Sequence, residues 1–272
     1  MKLDLHTHTT ASDGSYTPDE LVNYAIDTEL KFISITDHDN IDALKELDLA
    51  NKKINFIVGV EISAEFPKTL HILGYNFNKN NKELNKNLNF LQEYRKHRNH
   101  KMIANMNERG FKINWKELEE EAKGDIVGRP HFASLMYKKG YVESYQEAFD
   151  KYLKKGAPLY LNKKRLDPKK AIELILQAGG IPVIAHPYQT MLYDTELEQL
   201  IVKLKKFGLM GIEVFYSQHS IKQIDQYLFY ADKYELLITA GSDFHGSNKV
   251  DIDLGMTVKD KYLIPFLDKI NH

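Results

Sequence analysis

The chain opens on a short alternation, Leu3-Asp4-Leu5-His6-Thr7-His8, in which apolar and polar residues take turns. That period predicts a strand, and along a strand the side chains at i and i+2 point to the same side. His6 and His8 therefore face one direction together. Further apolar runs of strand length follow at Phe32–Thr36, Ile54–Val60, Leu70–Phe77, Ile181–Ala185, Gly211–Phe215 and Leu236–Ala240. Runs of this kind, rich in Val, Ile and Leu and bounded by Gly, Pro or Asp, predict buried parallel strands. Helical patterns lie between them. Thr17-Pro18-Asp19-Glu20 has the form of a helix start, with Thr17 as N-cap, Pro18 at the first position and Glu20 closing a capping box. Asp167 before Pro168 predicts a second start, and Gly179-Gly180 its end. Further helices are expected over Ile41–Asn51, Thr195–Phe207, Ser220–Tyr234 and Tyr262–Ile270.

The rhythm breaks at Asn78. Residues 79–101 are rich in Lys, Asn, Glu and Arg, with Leu84, Leu88, Leu91, Tyr94 and Met102 at helical spacing. Helical patterns continue through Trp115–Ala122, Pro130–Lys138 and Ser144–Leu153, and a strand is expected only at Leu159–Leu161. Residues 79–165 thus read as an inserted, mainly helical subdomain, and residues 1–78 and 166–272 as an α/β barrel.

Ligand-type residues recur where the apolar runs end. Phe32–Thr36 leads into Asp37-His38, Ile54–Val60 into Glu61, Ile181–Ala185 into His186, and Leu236–Ala240 into Asp243-Phe244-His245; His71 stands at the head of its run. Catalytic residues of parallel barrels come from the C-terminal ends of several strands. With Asp13, the candidates are His6, His8, Asp13, His38, Glu61, His71, His186, Asp243 and His245, which include six of the chain's 11 histidines. A lone histidine at a strand end is usually structural, and His97, His100, His219 and His272 keep that reading. The recurrence does not. Imidazole and carboxylate donors without sulfur suit Zn, Mn or Fe, and this set is too large for one ion. Two or three divalent ions with a bridging Glu61 or Asp243 would suit hydrolysis, phosphate esters first.

Composition narrows the setting. The 272 residues carry a net charge of −1, so no global field draws nucleic acid or membrane, and an anionic substrate must be held locally. The absence of cysteine excludes disulfides and thiolate ligands. No long apolar run and no leader pattern is found, which points to the cytoplasm.

The segments His6-Thr7-His8-Thr9, Ile35-Thr36-Asp37-His38-Asp39, Gly59-Val60-Glu61-Ile62-Ser63, His71-Ile72-Leu73-Gly74-Tyr75, Ala185-His186-Pro187 and Gly241-Ser242-Asp243-Phe244-His245 resemble, in order, those of the PHP (polymerase and histidinol phosphatase) family. The resemblance implies a distorted (β/α)₇ barrel and a trinuclear metal-dependent phosphoesterase. Carried over, His6, His8, Glu61 and Asp243 would surround one metal. Glu61, His71 and His186 would hold the second, and Asp13, His38 and His245 the third.

In the insertion, Gly128-Arg129-Pro130-His131 puts a guanidinium at a helix start, where free N–H groups favour phosphate. Residue types alone divide evenly between that role and a local one. The block resembles the stand-alone PHP branch acting on nucleoside 3′,5′-bisphosphates and short RNA, in which the insertion helps bind nucleotide. Lys163, in Lys163-Lys164-Arg165, is a candidate for a second phosphate, with Arg95-Lys96-His97-Arg98 behind it. The expected activity is hydrolysis of the 3′-phosphate of a nucleoside 3′,5′-bisphosphate by a metal-bridging hydroxide, with Asp37 or His131 as a candidate acid. The alternatives are a 5′→3′ exonuclease on short RNA or DNA, a histidinol phosphatase, and a non-catalytic nucleotide or metal sensor.

Overall fold

The structure is a computed structural model that describes residues 1–50, 52–122 and 127–271. The strands are β1 (Lys2–Thr7), β2 (Phe32–Ile35), β3 (Asn55–Ala64), β4 (Leu70–Tyr75), β5 (Ile181–Ile184), β6 (Gly211–Tyr216), β7 (Leu237–Gly241) and β8 (Met256–Thr257). The α-helices are α1 (Pro18–Asp27), α2 (Ala43–Glu46), α3 (Lys82–Glu108), α4 (Trp115–Ala122), α5 (Arg129–Lys138), α6 (Tyr145–Ala148), α7 (Pro168–Gln177), α8 (Asp194–Lys206), α9 (Ile221–Lys233) and α10 (Asp260–Asn271). The chain divides into two compact units, one of residues 1–88 and 165–272, the other of residues 89–164. The division falls inside α3.

In the first unit the strands form one sheet in the order β7-β6-β5-β4-β3-β2-β1-β8. The sheet curls until β7 meets β1. Asp243 N–H donates to the His6 carbonyl at 2.8 Å and His8 N–H to the Phe244 carbonyl at 2.9 Å. Seven strands thus form a nearly closed barrel, and β8 lies antiparallel on Lys2 and Leu3. The pairing departs from the all-parallel expectation at β4, which runs antiparallel to both β3 and β5. A five-residue link, 65–69, joins β3 to β4 and can only turn the chain back, because a parallel return needs a crossover of a dozen residues or more. The reversal explains His71. At the start of a reversed strand it occupies the same rim as the ends of its neighbours.

Local chemistry sets the helix starts. Thr17 caps α1 in a complete capping box with Glu20, and Asp167 accepts from Lys169 N–H at the start of α7. The helix expected over Ile41–Asn51 is shorter, covering only Ala43–Glu46. Asp42 gives it no side-chain cap, Leu47 turns extended, and Asp48 bonds Ala50 N–H at 2.9 Å in a competing local turn. Asn51 lies outside the described residues. Leu3, Leu5, Leu73, Val183 and Ala240 pack in one apolar cluster with Phe266 of α10. β1 is buried on both faces after Lys2, with Leu3 and Leu5 on one and Asp4 and His6 on the other.

The second unit is helical and has its own core, in which Met102, Met106, Phe132, Met136, Leu153 and Leu159 are buried together. A π-helical turn, Phe149–Leu153, follows α6. The strand expected at Leu159–Leu161 is irregular backbone, with Leu159 N–H donating to the Tyr152 carbonyl and Tyr160 N–H to that of Ala157. These local bonds take the donors that a strand partner would need. Among the described residues no helix is long and apolar enough to cross a membrane.

Candidate metal centre

The barrel rim gathers the candidates of the first unit around Glu61. β3 outruns β2, so Glu61 projects beyond the last β2 pair and lies level with His38, with which it forms an isolated bridge. His71 Nδ1 and His186 Nε2 lie 2.7 and 2.8 Å from Glu61 Oε1, and His38 Nδ1 lies 2.8 Å from Oε2. His6 Nε2 and His8 Nε2 approach Oε1 and Oε2 respectively, each at 3.4 Å. The same two nitrogens lie 3.5 and 3.1 Å from Asp243 Oδ1. Asp13 Oδ1 lies 3.3 Å from His245 Nε2 and its Oδ2 3.6 Å from His38 Nε2.

Among the described residues, three groups each offer ligand atoms within 4.8 Å of one another: His6, His8, Glu61 and Asp243; His8, Asp13, His38 and His245; and His38, Glu61 and His71. These groups hold eight of the nine rim candidates, and the ninth, His186, lies 2.8 Å from Glu61 Oε1. His38 joins Glu61 and His71 as well as Asp13, and His8 stands in two groups.

The donor set fits divalent ions. His6 Nε2, His8 Nε2 and Glu61 Oε2 are buried and make no hydrogen bond, although buried polar atoms are almost always paired. Two ligand atoms at about 2.1 Å from one ion, in tetrahedral array, lie about 3.4 Å apart. The separations around His6, His8, Glu61 and Asp243, 3.1 to 3.5 Å, have that size.

Protonation follows from the same packing. Burial lowers His8 to about 3, with His245 and His38 adding to the effect, and burial lowers His71 to about 4 against the pull of Glu61. Burial disfavours charge on Glu61 and Asp243, and the crowding around the partly exposed Asp13 acts in the same direction, but the surrounding imidazoles hold each carboxyl well below its usual range. Burial likewise opposes a charged His6, yet Glu213, Glu61 and Asp243 raise it well above the usual imidazole value. The rim thus offers ionised carboxylates at Glu61, Asp13 and Asp243 and neutral imidazoles at His8 and His71, the forms that ligate, while the carboxylates around His6 favour a proton there that a bound ion would displace.

Left-handed backbone marks the same rim, with φ of +52° at Asp39, +23° at His186 and +61° at Asp243. Such conformations cost of order 1–3 kcal/mol each and persist where the surroundings hold them. Gly241 permits the seam beneath. A Cβ there would stand 2.3 Å from His6 Cβ and 2.7 Å from His6 N.

Asp37 is buried, and burial pushes its carboxyl up to about 6. Its Oδ1 accepts from Thr9 N–H and Ser12 Oγ–H and its Oδ2 from Thr9 Oγ1–H. These bonds fasten the loop that carries Asp13. The side chains of His6, His8, Glu61, His186, Asp243 and His245 are almost wholly enclosed, whereas Asp13 is 45% exposed, His38 19% and His71 17%. The open side of the centre is theirs.

Two polar residues here escaped the sequence. Glu213 on β6 accepts from the His186 N–H at 2.7 Å and pairs with His6 Nδ1 at 2.9 Å. Its signal was present, a lone acid inside the apolar run Gly211-Ile212-Glu213-Val214-Phe215. Lys249 Nζ pairs with Asp243 Oδ2 at 2.6 Å, and nothing in its loop sequence marks it.

In the helical unit, Arg129 opens α5, donating from Nη1 to the Leu153 carbonyl at 3.1 Å and lying over the Tyr160 ring at 5.1 Å. His131 Nδ1 accepts from Gly128 N–H at 3.0 Å. Lys163 is half-buried. Arg98 is buried, with Nε and Nη2 both on Asn99 Oδ1. Of the other histidines, His219 is buried with Nδ1 on the Val214 carbonyl, His100 lies against Trp115, and His272 falls outside the described residues.

A strand barrel whose rim gathers imidazoles and carboxylates at ligand spacing belongs with the metal-dependent hydrolases. The PHP domain model matches residues 4–166, and the chain belongs to that family. It is similar to a 3′,5′-nucleoside bisphosphate phosphatase of Chromobacterium violaceum, 31% identical over 264 residues that cover 94% of this chain and 91% of the relative. A 5′-3′ exoribonuclease of Haemophilus influenzae is 32% identical over 247 residues, covering 90% of each. A solved structure from Bifidobacterium adolescentis, assigned provisionally as a metal-dependent phosphoesterase, has a TM-score of 0.83 at 27% identity, covering 98% of this chain and 96% of its own. The protein is a metal-dependent phosphoesterase.

Proposed function

We propose that the protein hydrolyses the 3′-phosphate of nucleoside 3′,5′-bisphosphates. The observation that carries a phosphoesterase centre is the convergence of His6 Nε2, His8 Nε2 and Glu61 Oε2, buried and without hydrogen bonds, at ligand spacing. The choice of substrate is supported by the 31% identity to the bisphosphate phosphatase across 94% of the chain. In this reading His6, His8, Glu61 and Asp243 hold one ion, Glu61, His71 and His186 a second, and Asp13, His38 and His245 a third. His38 stands close enough to Glu61 to serve the second as well. Mn, Fe and Zn all suit the donors. Bound divalent cations would lower the pKa of water toward neutrality and neutralise phosphoryl oxygens.

The residues do the rest. Enclosed His6, His8 and Glu61 exclude bulk water from the back of the centre, and the partly open side of Asp13, His38 and His71 admits the phosphoryl group. Hydrolysis forms one bond from water oxygen to phosphorus and breaks the bond to the 3′ oxygen. That oxygen leaves as a hydroxyl, giving a nucleoside 5′-phosphate and inorganic phosphate. Arg129, with the N–H groups at the start of α5, has the chemistry to take a phosphate, and His131 and Lys163 are assigned to substrate with it.

A second reading, 5′→3′ exonuclease action on short RNA, is favoured by the 32% identity to the exoribonuclease. The test is phosphate release by the Mn²⁺-loaded protein from adenosine 3′,5′-bisphosphate, 5′-AMP and a 5′-phosphorylated RNA trimer, beside a folded His8→Ala variant. Release from the bisphosphate alone, leaving 5′-AMP and lost in His8→Ala, is expected. Mononucleotides from the trimer would replace the first reading with the second. Full activity in His8→Ala would overturn both.

A further inference from the structure

Strand β6 lends no ligand to the three groups on the rim, yet two of its side chains hold the ligands of its neighbours. Glu213 is fully buried and each of its oxygens has a separate task. Oε1 lies 2.9 Å from His6 Nδ1, and Oε2 accepts from the His186 N–H at 2.7 Å. Three residues on, Tyr216 O–H donates to Asp243 Oδ2 at 2.9 Å. An unbroken strand would send residues 213 and 216 to opposite faces. The pairing with β7 slips between Glu213 and Phe215, where two steps on β6 match one on β7, and this bulge restores Tyr216 to the ligand side.

We infer that Glu213 is a positioning residue for two ligands at once, His6 and His186, and that Tyr216 does the same for Asp243. The inference rests on the metal reading above. A carboxylate beside Nδ1 fixes the proton there and leaves the Nε2 lone pair facing Glu61 Oε1 and Asp243 Oδ1, 3.4 and 3.5 Å away. On its other oxygen, the bond from His186 N–H holds a backbone at φ +23°, and with it the ring whose Nε2 lies 2.8 Å from Glu61. A carboxylate is needed because both groups are donors. An amide has a single acceptor oxygen, so glutamine at 213 satisfies one donor and turns its NH₂ toward the other. One substitution should therefore weaken ion binding at both the His6 and the His186 positions.

The test compares wild type, Glu213→Gln and Tyr216→Phe by Mn²⁺ titration calorimetry and metal analysis, with circular dichroism to establish folding. The visible spectrum of the Co²⁺-loaded forms reports ligand geometry, which a purely structural residue would leave unchanged. Glu213→Gln is expected to bind Mn²⁺ about 10–100-fold more weakly, with an altered Co²⁺ spectrum. Tyr216→Phe should show a smaller loss in the same direction. Wild-type affinity and spectrum in a folded Glu213→Gln protein would overturn the inference while the metal reading stands. If Glu213→Gln does not fold, an unchanged spectrum in Tyr216→Phe overturns it instead. A wild-type protein that takes up no divalent ion would end the metal reading itself, and the inference with it.

Discussion

Gly241→Ala isolates the barrel seam from the chemistry it supports. Gly241 ends β7, and the His6 backbone of β1 packs directly against it. The added methyl would stand 2.3 Å from His6 Cβ, whereas ordinary contact begins at 3.4 Å, so β1 and β7 must part by about 1 Å. The obstacle includes the His6 backbone N at 2.7 Å, which no side-chain rotation relieves. Overpacking of this kind costs about 1–3 kcal/mol, and strain on the seam bonds from Asp243 N–H to His6 and from His8 N–H to Phe244 places the effect toward the upper end. The displacement falls on a ligand whose Nε2 sits 3.4 Å from Glu61, and a misplacement of about 1 Å at a reacting centre can cost about 100-fold in rate. Thermal unfolding of the chelated protein reads the first effect, and phosphate release under saturating Mn²⁺ the second. A Gly241→Ala protein with wild-type melting temperature and turnover would refute the seam as the element that places His6.

Three further outcomes follow from the same structure. Asp4→Asn should destabilise by about 1–3 kcal/mol for each donor left unpaired, since Asp4 is buried and accepts from His6 N–H, Ser242 N–H, Ser242 Oγ–H and Gly255 N–H; urea unfolding measures it, and an unchanged midpoint would deny the role of that network. Thr17→Ala removes the α1 capping box and should lower stability by about 1 kcal/mol with turnover unchanged, checked by parallel unfolding and kinetics. Exhaustive chelation should abolish phosphate release while circular dichroism is retained, and Mn²⁺ should restore it; activity persisting in metal-stripped protein would contradict the metal assignment.

Local features were legible in the residues alone. His6 and His8 share a direction because a strand has a period of two, and Thr17 and Asp167 start helices because each supplies an acceptor to the N–H groups that follow it. The ends of the apolar runs named most of the rim residues that converge in the structure, because a barrel delivers its strand ends to one place; Asp13 came from the loop after β1 and His71 from the head of its run. Tertiary structure decided whatever depends on a partner distant in the chain. The reversal of β4 was not written in its residues, although it is what brings His71 to the rim. Glu213 showed only as an anomaly in an apolar strand until His6, 207 positions away, gave it a reason. The segment at Leu159–Leu161 had strand composition and no strand to pair with, and α2 lost its second half to the Asp48 turn. Caps and periods act within a few residues, whereas strand direction, seam contact and the orientation of a ligand are set by pairings that only the folded chain makes.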